Sequence, residues 1–127
     1  MKKHSVEQLK KQFGIRLRSY RMAIGLPLNY FAEMHHTTPS YLSRIESGRH
    51  NPSLETMQQY ADTFGIAFYE LANPDFPIPP LSSMPLPTRR AVERFRKEQQ
   101  QKEAEREHLK ETGSGVYATG LARTLRS

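Results

Sequence analysis

The sequence lacks the features on which several classes of protein chemistry depend. It contains no cysteine and no tryptophan, and apolar residues make up only 36% of its 127 residues. Without cysteine the chain cannot form a disulfide, a thiolate nucleophile or a cysteine-based zinc site. No stretch approaches the roughly 18 apolar residues of a membrane-spanning helix. The start of the chain carries Glu7, Lys10 and Lys11 where a secretory signal needs an apolar segment. We therefore expect a cytoplasmic protein with no membrane association.

Motifs for catalysis and cofactor binding are also lacking. The chain has no paired carboxylates, no serine elbow and no metal-ligand cluster. The Gly-Ser-Gly run at 113–115 lacks the lysine that completes a phosphate-binding loop. His35 and His36 are adjacent, and neighbouring residues rarely share one face toward a metal, so a polar turn is the favoured interpretation there. The sequence predicts no enzyme, no cofactor and no metal site.

An excess of positive charge is the clearest feature of the composition. Lys and Arg number 19 and Asp and Glu 13, which gives a formal net charge of +6 at pH 7. Such an excess favours a polyanionic partner, either a nucleic acid or an acidic membrane surface. Charge alone leaves both partners open.

Apolar residues at helical spacing predict five helices within residues 5–72. Gly14 lies inside the first helix and is an alternative start for it, because glycine is a poor helix former. The predicted caps and breaks are Gly25, Pro27, Thr38, Pro39, Gly48, Ser53 and Gly65. The predicted apolar stripes, helix by helix, are Val6, Leu9, Phe13, Leu17, Tyr20 and Ile24; Leu28, Phe31 and Ala32; Leu42 and Ile45; Leu54, Met57, Tyr60, Ala61 and Phe64; and Phe68, Tyr69 and Leu71.

The composition changes after residue 72. Residues 73–87 hold six of the nine prolines, and they are predicted to form a semi-rigid linker because proline donates no backbone hydrogen bond. Thr88 is predicted to cap a charged helix over 88–112 that buries only Val92, Phe95 and Leu109. Residues 88–111 carry eight basic and six acidic residues, which favours a solvated helix over a phosphate-binding one. Residues 113–127 are predicted to be a flexible tail.

Two short helices joined by a tight break, from about Leu28 to Glu46, are the most informative feature. The major groove of duplex DNA, about 12 Å wide, accepts one α-helix, and a second helix braced across it fixes the angle of the first. Leu42 and Ile45 point toward the core, so Arg44 lies on the outward side of the third predicted helix. Its guanidinium suits the O6 and N7 atoms of guanine. The arrangement is typical of a DNA-reading helix.

The segments FGIRLRSYR, GL, FAE, SYLSRIESGRHNPSLETM, ADTFGI and FYEL follow one another between Phe13 and Leu71. This run resembles the lambda-repressor-like helix-turn-helix family, also called the Cro or XRE family, most specifically in the block that contains Gly48 and Pro52. The resemblance implies an all-α fold, in which a five-helix lambda-repressor-like DNA-binding domain at 5–72 precedes the Pro-rich linker and the charged C-terminal helix. It also implies a transcription regulator that binds double-stranded DNA sequence-specifically, usually as a homodimer.

The resemblance also implies roles for individual residues. Base-reading positions fall at Thr38, Pro39, Ser40 and Arg44. Phosphate-contacting positions fall at Asn29, Tyr41, Ser43, Ser47, Arg49, His50 and Asn51. Arg21 and Glu46 match a structural ion pair between the first and third helices. Backbone contacts of this kind set affinity and register, while base-edge contacts set sequence preference.

Two departures from the family pattern affect these expectations. Pro27 and Leu28 stand where the family often has Ser or Thr followed by a phosphate-binding Gln, so one phosphate contact is expected to be missing. The turn carries His36 where the family usually has glycine, so this histidine must take a left-handed backbone conformation.

Two functions remain open at this point. The first is a transcriptional repressor that inserts residues 38–46 into the major groove. The second is an antitoxin-like or accessory adaptor that binds a protein partner through residues 73–127. Truncation at Asn73 should separate them, because a repressor keeps its DNA site while an adaptor loses its partner. If truncation abolishes dimerisation instead, the C-terminal helix is an assembly element.

Overall fold

The predicted all-α fold is confirmed. The computed structural model describes residues 4–117, with side chains up to residue 112. Within this range the regular elements are α1 (Val6–Ala23), α2 (Leu28–Met34), α3 (Pro39–Glu46), α4 (Leu54–Phe64), α5 (Phe68–Ala72), a 3-10 turn (Leu81–Ser83) and α6 (Leu86–Tyr117). Chain contacts divide the molecule into two compact units, Met1–Val92 and Glu93–Ser127.

An aromatic cluster forms the centre of the first unit. The Tyr20 and Phe64 ring centroids are 4.8 Å apart, and Phe31 stacks 6.0 Å from Phe64 and 6.1 Å from Tyr60. The buried side chains that α1 to α5 and their connections contribute are Phe13, Leu17, Tyr20, Ile24, Leu26, Phe31, Ala32, Leu42, Ile45, Tyr60, Ala61, Phe64 and Leu71. Four residues assigned to apolar stripes are instead exposed, namely Val6, Leu9, Leu54 and Tyr69. Apolar spacing predicts which residues share one face of a helix. It does not predict how far the neighbouring helix covers that face.

Helix α1 is continuous through Gly14, so the alternative start at that residue is wrong. Its true start is fixed by Ser5, whose hydroxyl accepts the backbone N–H of Gln8 while the Gln8 amide oxygen accepts the Ser5 N–H. Gly14 allows a close helix crossing instead. A Cβ at this position would lie 2.4 Å from the carbonyl oxygens of Ile45 and Glu46, so α3 packs directly against the α1 backbone.

The segment after α5 packs on the first unit, although it was predicted to be a linker. Arg16 of α1 donates from Nε to the Leu71 carbonyl at 2.9 Å and from Nη2 to the Phe76 carbonyl at 2.7 Å. Met84, Ala91 and Val92 are buried further along. The predicted boundary after residue 72 therefore lies inside the compact unit, which extends to Val92. The prolines of this segment do not exclude helical structure, since it contains the 3-10 turn and the first residues of α6, and its burial depends on partners far away in the chain.

The predicted capping role of Thr88 is wrong. Helix α6 begins at Leu86, and Thr88 is only 3% exposed. Its Oγ1 donates to the backbone carbonyl of Thr63, at the end of α4. The residue therefore anchors α6 to the domain and does not cap the helix.

As far as residue 117, where the described range ends, the second unit consists of the rest of α6. Residues 93–112 are exposed apart from half-buried Phe95, and Leu109, predicted to be buried, is 55% exposed. Arg106 and Glu103 form an ion pair. The helix continues past the predicted end at residue 112 to Tyr117, and the rest of the predicted tail lies outside the described residues. No helix within the described range is long and apolar enough to cross a membrane.

Candidate nucleic-acid interface

The turn between α2 and α3 fixes the angle between these two helices. His36 has a φ of 55°, so the left-handed conformation expected at this position is present. The His36 N–H donates to the Glu33 carbonyl and the Thr37 N–H to the Ala32 carbonyl, both at 3.0 Å. These bonds satisfy the carbonyls at the end of α2 and redirect the chain into α3.

His35, the neighbouring residue, packs against the core. Its ring centroid lies 4.6 Å from that of Phe31 and 4.7 Å from that of Tyr60. Its Nε2 atom is 3.1 Å from the Thr63 hydroxyl oxygen. Burial, assisted by the adjacent His36, lowers the pKa of His35 to about 4. The imidazole is therefore neutral near pH 7. Both histidines lie in the turn as expected, with His35 half-buried and His36 exposed.

Helix α3 is fixed at both ends and along its inner face. The Thr38 hydroxyl accepts the Tyr41 backbone N–H at 3.1 Å and caps the helix as expected. Leu42 is 0% and Ile45 1% exposed. At the far end lies Glu46, whose carboxylate enters the expected ion pair with α1. These contacts prevent the helix from rotating about its axis.

That ion pair is a two-point contact in a nearly dry site. Arg21 donates from Nε to one Glu46 oxygen at 2.7 Å and from Nη2 to the other at 3.0 Å. Its Nη1 donates to the Leu26 carbonyl at 2.9 Å, and the arginine is only 8% exposed. Paired arginine-carboxylate geometry fixes orientation as well as distance. Arg21 thereby joins α1, the α1–α2 turn and α3.

The outward face of α3 carries all the predicted base-reading residues. Thr38, Pro39, Ser40 and Arg44 are exposed. The Arg44 guanidinium lies 6.0 Å from the centroid of the Tyr41 ring, within reach of a cation-π contact. The Thr38 hydroxyl oxygen already accepts the capping bond, so its remaining hydrogen-bonding capacity is limited to its O–H and one lone pair.

A shallow groove of about 370 Å³ runs beside this face. It is lined by Leu28, Pro39, Ser40, Ser43, Arg44 and Arg49. Predicted base-reading and phosphate-contacting residues thus share one surface. Leu28 was assigned to the core and was missed as a surface residue of this site. The signal that could have identified it is its place at the start of α2, where the family pattern has a polar residue.

The predicted phosphate-contacting residues border this face on two sides. Ser47, Arg49, Asn51 and Asn29 are exposed, and Tyr41, Ser43 and His50 are half-buried. Arg49 donates from Nε to the Ser47 hydroxyl oxygen at 2.9 Å, and that hydroxyl donates to the Arg44 carbonyl at 3.2 Å. The Tyr41 and His50 rings meet edge to face at 4.8 Å. The loop after α3 is therefore internally ordered.

Gly48 explains how this loop approaches α1. It has a φ of 77°, a conformation that favours glycine. A Cβ there would lie 2.7 Å from Cγ and 2.9 Å from Cα of Lys11. Any larger residue would move the loop that carries Arg49 away from α1.

Comparison with known proteins agrees with this geometry. A family model described as helix-turn-helix matches residues 17–71. The HTH-type transcriptional regulator DdrOP3 of Deinococcus deserti is 46% identical to the chain over 56 residues, which are 44% of this chain and 43% of that protein. The chain therefore matches less than half of the length of this curated relative. No solved structure matches the chain.

Proposed function

We propose that this protein is a DNA-binding transcription regulator whose α3 reads the major groove, since a helix-turn-helix family model matches residues 17–71. The observation that carries the proposal is the two-sided character of α3. Leu42, Ile45 and the Glu46 carboxylate fix its inner face, while Ser40 and Arg44 are exposed on its outer face. A helix that is held in place along one face can position the polar side chains of its other face at base edges.

In this proposal the site residues have two kinds of role. Arg44 recognises a guanine through O6 and N7, Ser40 and Thr38 hydrogen-bond to a base edge, and Pro39 contacts a thymine methyl. The residues that bind phosphates are Asn29, Tyr41, Ser43, Ser47, Arg49, His50 and Asn51. The bonds from Arg49 to Ser47 and from Ser47 to the Arg44 carbonyl support this division, because they orient a cation beside the reading helix in advance.

We further propose that the protein acts as a homodimeric repressor. Two copies of α3 would then occupy half-sites about 34 Å apart, one turn of B-DNA, and the operator would be nearly palindromic. Footprinting over a range of protein concentrations tests this step. Protection of a single half-site at every concentration would contradict the dimer and leave major-groove reading intact.

The test of base reading compares Arg44→Ala with Arg18→Ala, each in the full chain. Arg18 is also exposed but lies on α1, outside the proposed interface, so its loss controls for the removal of one charge. Fluorescence anisotropy is measured on a duplex selected from a random library and on an unselected duplex, at two salt concentrations. Loss of a bidentate base contact costs about 1–3 kcal/mol on the selected duplex.

We expect Arg44→Ala to lose affinity for the selected duplex and to bind the unselected duplex about as well as the parent does. Arg18→Ala should keep the preference for the selected duplex. If Arg44→Ala weakens binding to both duplexes equally, Arg44 contacts phosphate and the base-reading assignment is wrong. If selection enriches no duplex at all, the proposed function itself fails.

The adaptor function is the second candidate, and the structure narrows it. Met84, Thr88, Ala91 and Val92 are buried within the first unit, so they are not free to recruit a partner. Residues 93–112 are almost entirely exposed. Within the described residues, a protein partner would therefore bind through the exposed side chains of 73–112 and not through these four.

A further inference from the structure

The positive charge of α6 is concentrated toward its start. Residues 89–102 carry six Arg or Lys and two Glu, whereas residues 103–112 carry two Arg or Lys and four Glu. The near balance of the helix as a whole conceals this asymmetry. A concentrated block of positive charge favours a polyanionic partner.

Three of these basic residues share one face, which we call the basic stripe: Arg90, Arg94 and Lys97. At 100° and 1.5 Å per residue, they fall within about 60° of one another and span about 10 Å of the helix axis. Thr88 and Val92, which are 3% and 1% exposed, lie on the opposite side of the same helix by this geometry, and buried Ala91 lies between the two sides. The docked turns of α6 therefore leave the basic stripe uncovered.

The charges of the basic stripe are available for a partner. All three side chains are exposed, and the ion pairs within the described residues are Lys10–Glu7, Arg21–Glu46 and Arg106–Glu103. Glu93 and Glu98 flank the stripe without pairing to it within 4.0 Å. Within the described residues the stripe thus has no acidic partner at ion-pair distance, in contrast to Arg106, which pairs with Glu103 of its own helix.

Three facts favour duplex DNA over other polyanions. Each strand of the duplex carries one phosphate per 3.4 Å or so of its axis, so three long cationic side chains spread over about 10 Å can each reach a separate phosphate. A membrane-surface helix needs an apolar face, and residues 96–108 contain no apolar side chain larger than Ala104. The first unit, by the proposed function, already holds DNA, and this raises the local phosphate concentration around a helix joined to it.

We propose that the basic stripe binds phosphates of duplex DNA that flank the recognised bases. This inference rests on the proposed function. The stripe adds affinity and salt dependence but no sequence preference, because phosphate contacts carry no direct base information.

The test compares two triple variants of the full chain, each with three positive charges removed. The first is Arg90→Gln with Arg94→Gln and Lys97→Gln, and the matched control is Lys102→Gln with Arg106→Gln and Lys110→Gln. Both keep a good helix former at exposed positions, and far-UV circular dichroism checks that both are folded. The measured quantity is the slope of log binding constant against log salt concentration, on the selected duplex with long flanks.

The stripe variant should lower the magnitude of this slope by about 2 to 3, since each phosphate contact contributes about 0.9. Its affinity at 0.1 M salt should fall about tenfold or more, with the ratio of selected to unselected binding unchanged. The control should keep the parent slope. On a duplex trimmed to the bases that α3 reads, the parent and the stripe variant should become equal.

Equal slopes for the stripe variant and the control would overturn the proposal, and site-specific binding by both would show that the proposed function survives. If the parent protein bound the selected and unselected duplexes equally, the proposed function would fail instead. A second experiment measures the binding of the parent and the stripe variant to vesicles that contain phosphatidylserine. If the stripe variant loses vesicle binding but keeps the parent slope on DNA, the partner is a membrane and the assignment to DNA is wrong.

Discussion

At the scale of single residues, Gly14 tests whether packing or helix propensity dominates. A glycine-to-alanine change inside a helix ordinarily stabilises by about 1 kcal/mol. Here the new Cβ would lie 2.4 Å from two carbonyl oxygens of α3, which cannot move without moving the whole helix. We expect Gly14→Ala to lower the free energy of unfolding by about 1–3 kcal/mol, as overpacked sites do. Urea unfolding measures the change.

Ser19→Ala is the matched control for Gly14→Ala. Ser19 is exposed on the same helix, so alanine there should be neutral or slightly stabilising. If Gly14→Ala also stabilised the protein, the close crossing of α1 and α3 would not exist as described.

His35 makes the stability of the protein depend on pH. Its pKa is about 4 in the folded state and about 6.5 in an unfolded chain. Between these values the unfolded state binds more protons, so stability falls as the pH falls from about 6.5 toward about 4. The full loss is at most about 3 to 4 kcal/mol, because one pKa unit corresponds to about 1.4 kcal/mol.

The measurement is the urea midpoint of the parent, His35→Gln and His36→Gln at pH 7.5 and pH 4.5. His35→Gln should be less stable at pH 7.5 because it disturbs the packing against Phe31 and Tyr60, but it should lose less stability on acidification. His36→Gln should lose nearly as much as the parent, because burial is the larger cause of the lowered His35 pKa and the neighbouring His36 is the smaller one. The same acid loss in all three proteins would rule out the assignment to His35.

His36 carries backbone strain that glycine would relieve. A non-glycine residue in the left-handed region costs roughly 1–2 kcal/mol, and His36 has a φ of 55°. Part of the gain is offset because glycine also makes the unfolded chain more flexible. We expect His36→Gly to raise the free energy of unfolding by about 0.5–1 kcal/mol. The thermal midpoint would detect it, and a decrease would show that the ring makes a compensating contact.

At the scale of elements, local chemistry was predictable from the sequence and distant docking was not. The caps Thr38 and Ser53 and the left-handed His36 follow from side chains within a few residues of the feature they determine. The outward direction of Arg44 follows from helical period. Thr88 has the same local signature as the true caps, but its hydroxyl bonds to Thr63, which lies 25 residues away. No local pattern in the chain specifies that partner.

Thr88 therefore offers a direct test of α6 docking. Thr88→Val keeps the shape of the side chain and removes the hydroxyl that bonds to the Thr63 carbonyl. A buried carbonyl left without its donor costs about 1–3 kcal/mol, and because this site is part-buried we expect a loss at the lower end of that range in urea unfolding. Thr112→Val is the control, because Thr112 makes a comparable bond to the His108 carbonyl at an exposed site. Equal effects of the two variants would mean that α6 is not docked through Thr88.

At the scale of the whole molecule, the extent of the first unit determines where the chain can be divided. A chain ending at residue 72 lacks Met84, Thr88, Ala91 and Val92, all of which are buried in the full protein. Burying one aliphatic side chain contributes about 1.5–3 kcal/mol for the larger residues. For a domain of this size each kcal/mol shifts the thermal midpoint by about 4–8 °C. Truncation at 72 should lower the midpoint by more than about 10 °C.

A chain ending at residue 92 keeps all four buried side chains and should melt within a few degrees of the full protein. This separates stability from partner binding, because residues 93–127 can then be removed without exposing the core. Calorimetry of both truncated chains checks the melting. If the 72-residue chain melts with the 92-residue chain, the segment after α5 contributes no stability. Sedimentation of the 92-residue chain then tests dimerisation in a folded protein. A dimer formed through the first unit alone should survive the truncation, whereas a dimer that depends on the rest of α6 should be lost.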